Sequence, residues 1–288
     1  MKVKTAAKIN LALDVVGRLN HGYHAIESVF QTVGIYDEIT VELTDGFDIH
    51  VSCEVPDEFA SADPIPCDEH NIAYKAAFYY LNRNGASSGC RIHIKKGIPS
   101  QAGMGGGSSD AAAVMYCLQK LVGKNIPASP EVVGADVPFF LTGGTAYVTG
   151  VGESIEPVAD YSGRILVIAK GNEGVSTGEA YGRIDHLKGA VHPDTDGLVE
   201  ALNNTPDEAY KYFGNLFEEV VELKEVEDIR EKMAEGGALK SVMTGSGSAV
   251  FGLFESYETA EKCAEKLSDA GYYSQVCETV GSSFIEIE

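Results

Sequence analysis

The sequence has 288 residues, of which 44% are hydrophobic, enough for one large domain or two ordinary ones around a proper core. A formal net charge of −21 disfavours broad binding to nucleic acid or to anionic lipid. No apolar run approaches the roughly 18 residues of a membrane span, and the polar, alternating start is unlike a signal peptide, so we expect a cytoplasmic protein. The six cysteines form no C-x-x-C pair, which predicts reduced thiols and neither a zinc cluster nor a disulfide framework.

Strict alternation of apolar and polar residues over 3–15 predicts a half-buried strand, with Lys8 and Asn10 on its more polar face. The segment 37–53 follows, and a turn at Asp45-Gly46 predicts a β-hairpin there. Helical spacing over 70–85 predicts a helix that stops at Asn84-Gly85. A short strand over 89–99 leads into a glycine-rich stretch.

Beyond this stretch the pattern predicts an amphipathic helix from Ser108, strands over 143–150 and 164–170, and mostly helix over 195–235. A strand over 248–254 and a helix closed by Gly271 complete the chain. Strands and helices mix without a regular β-α-β-α alternation, so we expect an α+β fold. Turn residues near 150–160 predict two domains, 1–152 and 153–288.

The stretch "AGMGGGSSDAAA" (102–113) places loose glycine backbone directly before a helix. Several N–H groups can converge there without side chains in the way, and the helix start adds unpaired N–H groups and partial positive charge. Together these features predict an anion site, typically for phosphate. Ser108 and Ser109 are good helix-start residues and Asp110 suits a first turn, so a capped helix without ligand is the alternative. Neither the P-loop nor the dinucleotide fingerprint fits the spacing.

Three further stretches stand in the order typical of one family: "AAKINLALDVVGRLNHGYHAIESVFQTV" (6–33), "VGADVPFFLTGGTAYVTGVGE" (133–153) and "SVMTGSGSAVFGLF" (241–254). With the glycine loop, they resemble the motifs of the GHMP kinase superfamily over nearly the whole chain. The resemblance implies two α+β domains with the active site in the cleft between them. It also implies ATP-dependent phosphorylation of an alcohol group, and the branch it resembles acts on a cytidine-diphosphate-linked sugar alcohol.

By local rules alone, Lys8 is a solvated strand lysine and Asp136 a turn or cap residue. The resemblance implies that Lys8 is a catalytic lysine, which stabilises charge at the acceptor hydroxyl, and that Asp136 is the general base. It further implies that Asn10 binds substrate and that Tyr23 and His24 line the cytidine pocket. Tyr181 is expected to cover the other face of the base.

The resemblance places Asn71, a helix cap by local rules, near the adenine of ATP. Gly245 to Ser248 resemble the third superfamily motif, which packs beside the phosphate loop. Magnesium is implied as a cofactor because phosphoryl transfer from ATP needs charge neutralisation, but no acidic cluster identifies its ligands and only Ser109 is suggested. The residues expected to bind ATP are Asn71, Pro99, Gly103, Gly105, Gly106, Gly107, Ser108 and Ser109.

Two alternatives remain at this point, and the oligomeric state is open. Another GHMP kinase, acting on homoserine or mevalonate, would keep the glycine loop but has no reason to keep Tyr23 and His24. An inactive nucleotide-binding module is disfavoured by the presence of both Lys8 and Asp136. The segment between Leu121 and Gly134 is shorter than the family pattern, because a helix is lost or because part of the natural chain is absent from this sequence.

Overall fold

The computed structural model describes residues 1–19, 22–57 and 64–287. The larger of its two sheets runs β11-β1-β2-β4-β5, with β3 paired to β2 and β7 to β1. These strands are β1 (Lys2–Arg18), β2 (His24–Glu54), β3 (Ser88–Lys95), β4 (Thr145–Gly150), β5 (Ser154–Pro157), β7 (Gly214–Asn215) and β11 (Phe284–Glu286).

The smaller sheet has the order β10-β6-β9-β8. Its strands are β6 (Ile165–Lys170), β8 (Lys240–Met243), β9 (Val250–Phe254) and β10 (Tyr273–Glu278). The helices are α1 (Ile72–Arg83), α2 (Gly106–Val122), α3 (Val137–Thr142), α4 (Thr177–Ile184), α5 (Thr195–Asn204), α6 (Lys224–Glu235) and α7 (Tyr257–Asp269).

Most predicted elements are present, and their bounds shift by a few residues. Asn71 caps α1 through its side chain, which accepts from the Ala73 N–H. α7 ends just before Gly271, whose φ of +89° suits glycine. No disulfide joins any of the six cysteines in the structure. Among the described residues, no helix combines the length and the apolar character that crossing a membrane requires.

The prediction that β1 is half-buried is wrong, because both of its faces are covered. Every residue from Thr5 to Val15 is buried. Leu13 and Val15 join the core formed with α1 and α2, whereas Ile9 and Leu11 join a second core with Ile168 and Phe251. Lys8 and Asn10 are therefore polar side chains inside the protein, which local alternation could not reveal.

The predicted hairpin over 37–53 reverses direction at Gly46, but its two arms do not pair with each other. Instead, β3 pairs with both arms. Along the first arm the paired positions run from Glu38 opposite Lys95 to Asp45 opposite Ser88, and along the second they run from Ile49 opposite Cys90 to Glu54 opposite Lys95. The turn signal at Asp45-Gly46 was local and correct. The partner strand lies more than thirty residues further on, where no local signal points to it.

β11, near the end of the described chain, pairs with β1, at its beginning. In the pairing of β11 with β1, Val3 lies opposite Glu286 and Thr5 opposite Phe284. The strand β5, just past residue 153, also belongs to the larger sheet. The division at 152 and 153 stays a prediction, and residues 284–286 hydrogen-bond to the sheet of the first segment.

Candidate active site

Three segments that are far apart in sequence line one cleft of about 260 Å³. β1 contributes Lys8 and Asn10, and the loop before α3 contributes Asp136. The third superfamily motif contributes Gly245 and Ser246. The wall is completed by Leu13, Ile26, Phe30, Gly103, Gly105, Ala135, Val151, Thr177, Tyr181 and Phe217. The two residues predicted to be catalytic thus face the same space.

The Lys8 ammonium is buried, and two neighbouring side chains interact with it. Its Nζ donates to Asn10 Oδ1 at 2.7 Å and lies 4.7 Å from the centre of the Phe30 ring. Burial lowers the pKa of Lys8, and the Asp136 carboxylate acts in the opposite direction. A cation in such a water-poor position interacts strongly with any negative charge that develops in the cleft.

Asn10 connects Lys8 to the third superfamily motif. Besides Lys8, its Oδ1 accepts from the Gly245 N–H at 2.9 Å and from Thr244 Oγ1 at 3.2 Å. Its Nδ2 donates to Ser28 Oγ at 3.0 Å, and the side chain is only 1% exposed. The structure therefore gives Asn10 a positioning role for Lys8, and its amide has little capacity left for the predicted contact with substrate.

Asp136 stands at the N-terminal end of α3, yet its side chain makes no capping hydrogen bond to the helix. It is half-buried and faces the cleft. Gly152 lies beside it with a φ of +109°, which favours glycine, and a Cβ there would lie at an ordinary contact distance of 3.7 Å from Asp136 Oδ1. The short segment before it contains a single 3-10 turn, Pro130–Val132, and still places Asp136 in the cleft with Lys8.

The glycine loop requires glycine at its closest approach to the third motif. A Cβ on Gly103 would lie 2.2 Å from the Thr244 carbonyl oxygen, and Gly103 and Gly105 have φ values of +72° and +71°. On the far side of this loop lies a second cleft of about 470 Å³. Its lining includes Asn71, Lys96, Pro99, Gly103, Gly105, Gly106, Gly107, Ser108 and Asp110.

Comparison with known proteins decides the family. The family described as GHMP kinases N terminal domain matches residues 71–144, and that described as GHMP kinases C terminal matches residues 191–273. The 4-diphosphocytidyl-2-C-methyl-D-erythritol kinase of Clostridium perfringens is 40% identical over 96% of both chains. That of Clostridium beijerinckii is 38% identical over 93% of this chain and 95% of its own.

The chain belongs to the 4-diphosphocytidyl-2-C-methyl-D-erythritol kinase family of GHMP kinases. A crystal structure of a 4-(cytidine 5'-diphospho)-2C-methyl-D-erythritol kinase superposes with a TM-score of 0.78 at 32% identity, covering 98% of this chain and 100% of the other. A homoserine kinase from Cytophaga hutchinsonii shares the fold, with a TM-score of 0.76 at 19% identity over 100% of this chain and 97% of its own. The predicted α+β GHMP fold is confirmed, and the chain is an ATP-dependent small-molecule kinase.

At the start of α2 this GHMP kinase departs from the local prediction. The helix begins at Gly106, behind Gly105, and no side chain caps it. Ser109 is fully buried, and its Oγ lies 2.6 Å from Thr5 Oγ1 and donates to the Ala6 carbonyl at 2.7 Å. Of the two serines only Ser108 lines the second cleft. Ser109 therefore ties α2 to β1 and does not face that cleft through its hydroxyl.

Sequence reasoning missed a buried cluster of charges below the glycine loop of the kinase. Lys96 Nζ donates to Asp37 Oδ2 and, at 2.9 Å, to Asp110 Oδ2. Asp37 Oδ1 accepts from the N–H groups of Gly97 and Ile98 at 2.7 and 2.8 Å. The cluster fixes the chain as it enters the glycine loop. The only signals in the sequence were an acidic residue in a strand and a lysine pair before Gly97.

In the same cluster the two kinds of charge perturb each other. Burial raises the pKa of Asp110, the Lys96 ammonium lowers it, and Asp37 raises it again. For Lys96, burial lowers the pKa, but Asp110 and Asp37 outweigh that effect and raise it. Lys96 therefore keeps its proton, and Asp110 takes one up more readily than an exposed aspartate.

Of the residues predicted to bind cytidine, Tyr181 lines the cleft that holds Lys8 and Asp136, whereas His24 lines a neighbouring pocket with Arg18 and Asp185. Tyr23 is 66% exposed, whereas His24 is mostly buried. The ring of Tyr181 lies parallel to that of His24, at 4.6 Å and 16°, and meets Phe217 edge-on at 4.9 Å. Burial raises the pKa of Tyr181 to about 12, and Asp136 adds to this, so its hydroxyl stays protonated.

Proposed function

We propose that this kinase transfers the γ-phosphoryl group of ATP to the 2-hydroxyl of 4-(cytidine 5'-diphospho)-2-C-methyl-D-erythritol, giving the 2-phosphate and ADP. The observation that carries the proposal is the meeting of Lys8 and Asp136 in one cleft, directly beside the glycine loop. Relatives that match 93–96% of the chain carry the name of this kinase.

In the proposed reaction, Asp136 takes the proton of the acceptor hydroxyl. The oxygen of that hydroxyl forms a bond to the γ-phosphorus while the bond from phosphorus to the β,γ-bridging oxygen breaks, and ADP leaves. Lys8 stabilises the negative charge on the reacting oxygens. Asn10 keeps the Lys8 ammonium in place through the 2.7 Å hydrogen bond.

ATP is proposed to lie along the second cleft, with its phosphates at the glycine loop and at the N-terminal end of α2. The exposed N–H groups of a helix start favour anionic oxygens, and the loop glycines let phosphate approach the backbone. Asn71 lines this cleft, but its amide is committed to Ala73 N–H and to the Pro66 carbonyl. It would therefore shape the adenine end of the cleft through its position.

We propose that ATP is used as its magnesium complex. Ser108 fits a metal ligand, because it lines the cleft, and Ser109 does not, because its Oγ is occupied by Thr5 and Ala6. Mg²⁺ usually takes most of its ligands from phosphates and water, so a site with one protein hydroxyl is chemically adequate. When bound, the ion neutralises charge on the phosphates.

The test is an assay of ADP release with three candidate acceptors: the cytidine-diphosphate-linked methylerythritol, homoserine and mevalonate. Phosphorylation of the first alone is expected, with the phosphate on its 2-hydroxyl. Turnover of homoserine or mevalonate at a comparable rate would overturn the assignment. Measurable ATP binding without turnover of any acceptor would instead identify an inactive nucleotide-binding protein.

A further inference from the structure

Asp185 connects His24 and Tyr181, two of the three residues expected to bind the cytidine base. It follows α4 directly, four residues after Tyr181, and its backbone N–H donates to the Tyr181 carbonyl at 3.1 Å. Its Oδ1 lies 2.8 Å from Nε2 of His24. Residues four apart on a helix share a face, so α4 presents a stacking ring and a carboxylate to the same histidine.

The other carboxylate oxygen of Asp185 is held by Arg18, whose NH1 donates to Oδ2 at 3.0 Å. Arg18 and His24 face each other across the β1–β2 ladder, so Asp185 bridges two neighbouring strands. The hydrogen bond from His24 lowers the pKa of Asp185, and the charge of Arg18 contributes. Asp185 is therefore a carboxylate that can only accept hydrogen bonds.

An acceptor-only partner determines where a neutral imidazole carries its proton. Because Asp185 accepts from Nε2, the proton sits on Nε2, and Nδ1 is left as an acceptor. Nδ1 has no hydrogen-bond partner in the part of the chain that the structure describes. A base that is coplanar with His24 and bonded to Nδ1 would also lie parallel to the Tyr181 ring, since the two rings are 16° apart.

We propose that Asp185 selects cytosine over uracil by fixing His24 in the tautomer whose free Nδ1 accepts a hydrogen bond. Cytosine presents an amino donor at position 4, whereas uracil presents a carbonyl acceptor there. An acceptor on the protein pairs with the first and repels the second. The inference rests on the proposed function, because it takes the ring beside His24 to be the pyrimidine of the substrate.

The decisive substitution is Asp185→Asn. Arg18 can donate only to the amide oxygen, so the amide nitrogen turns toward His24 and donates to Nε2. This moves the imidazole proton to Nδ1, as replacement of a catalytic aspartate by asparagine does in serine proteases. Asp185→Glu keeps an acceptor-only group and should keep the wild-type tautomer. Asp269→Asn, on an exposed aspartate at the end of α7, is the matched control.

The measurement is the Kd of CDP and of UDP at pH 8, above the usual range of histidine. The wild type, Asp185→Glu and Asp269→Asn should bind CDP at least about tenfold more tightly than UDP, and Asp185→Asn should reduce that ratio to about one or below. Lost packing around the pocket would weaken the binding of CDP and UDP equally. A change in the ratio of the two affinities therefore reports base selection and not a general loss of structure. An unchanged ratio in a folded Asp185→Asn protein overturns the inference and leaves the proposed function intact.

A second measurement does not depend on any variant of Asp185 being folded. In ¹⁵N-labelled wild-type protein at pH 8, the His24 signals, assigned with His24→Gln, should show a protonated Nε2 and a bare Nδ1. A protonated Nδ1 refutes the inference. If the wild type binds neither CDP nor UDP, the proposed function fails as well, so the two failures are distinguishable.

Discussion

Asp136 stands where a helix cap is common, but it caps nothing and faces Lys8 across the cleft. We expect Asp136→Asn to lower kcat by about 10²–10⁴-fold, because the amide cannot take the proton of the acceptor hydroxyl. ATP affinity should change little. Single-turnover kinetics and equilibrium binding separate the two effects. Glu131→Gln, on the 3-10 turn before it, is the control and should keep wild-type kcat; near-wild-type kcat in Asp136→Asn would remove the residue from the mechanism.

Lys8 is charged at a cost to stability. Burial lowers its pKa, so between that lowered value and the usual 10.5 the unfolded chain binds more protons than the folded one. The free energy of unfolding should therefore rise with pH across this window, while kcat falls as Lys8 loses its proton.

Lys8→Met removes the buried charge and leaves Asn10 bonded to Thr244 and Gly245. We expect the free energy of unfolding in urea to increase by about 1 kcal/mol at pH 7 and kcat to become negligible. Lys4→Met, on the same strand, should change neither quantity greatly. A Lys8→Met protein less stable than the wild type contradicts this account.

Local sequence rules could not have assigned these side chains. Lys8 and Asp136 were recognised only through the family motifs, since the alternation around Lys8 predicted a solvated lysine. Ser109 was expected at the nucleotide, but its hydroxyl bonds to Thr5 and Ala6 on a strand about a hundred residues earlier. The direction of a side chain in the first helical turn depends on what packs there, and one sequence does not give that partner.

At the scale of elements, the cluster of Lys96, Asp37 and Asp110 joins β2, the end of β3 and α2 beneath the glycine loop. Lys96→Met would leave two carboxylates buried in contact without their cation. We expect a loss of about 3–5 kcal/mol in the free energy of unfolding by urea. Lys95→Met changes the neighbouring, exposed lysine and should stay within about 0.5 kcal/mol of wild type. Equal losses in the two variants would mean that the ion pairs contribute nothing.

Asp110 makes the stability of this cluster depend on pH. Its pKa is raised above the usual 3.8, so the folded chain holds a proton that the unfolded chain releases above that pH. The folded state thus loses stability as pH rises from 3.8 through the raised value. Asp110→Asn removes this slope, and its free energy of unfolding relative to wild type should increase between pH 4.5 and 7.5. A difference that is constant with pH contradicts the assignment.

Local sequence patterns predict the bounds of several elements but not how the strands pair. The bounds of α1, β4, β6, β9 and α7 follow closely from periodicity and turn residues, because these signals are local. The pairing of β3 with both arms of β2 could not be predicted from these local signals. Ile39 and Cys53 both lie opposite Ile94, and both are far from it in the sequence. Pairing of distant strands is decided by the whole fold, and neither the local pattern nor the family resemblance predicted this one.

For the whole molecule, the net charge of −21 opposes the approach of its own anionic ligands. Salt screens repulsion between like charges over about 10 Å at 0.1 M. We therefore expect kcat/KM for ATP to rise between 20 and 150 mM salt while kcat stays constant, which stopped-flow binding and steady-state kinetics can measure. A fall in kcat/KM over this range would instead show that local positive features around the clefts dominate the encounter.

The pairing of β11 with β1 has a consequence for how the protein is made. Residues 3–5 leave the ribosome long before residues 284–286 do, and at about 5–20 residues per second the interval is on the order of tens of seconds. During that time the outer edge of the strand that carries Lys8 has no β11 to cover it, and an open strand edge is a template for aggregation. The nascent chain therefore exposes, for that interval, a strand edge that the folded enzyme covers.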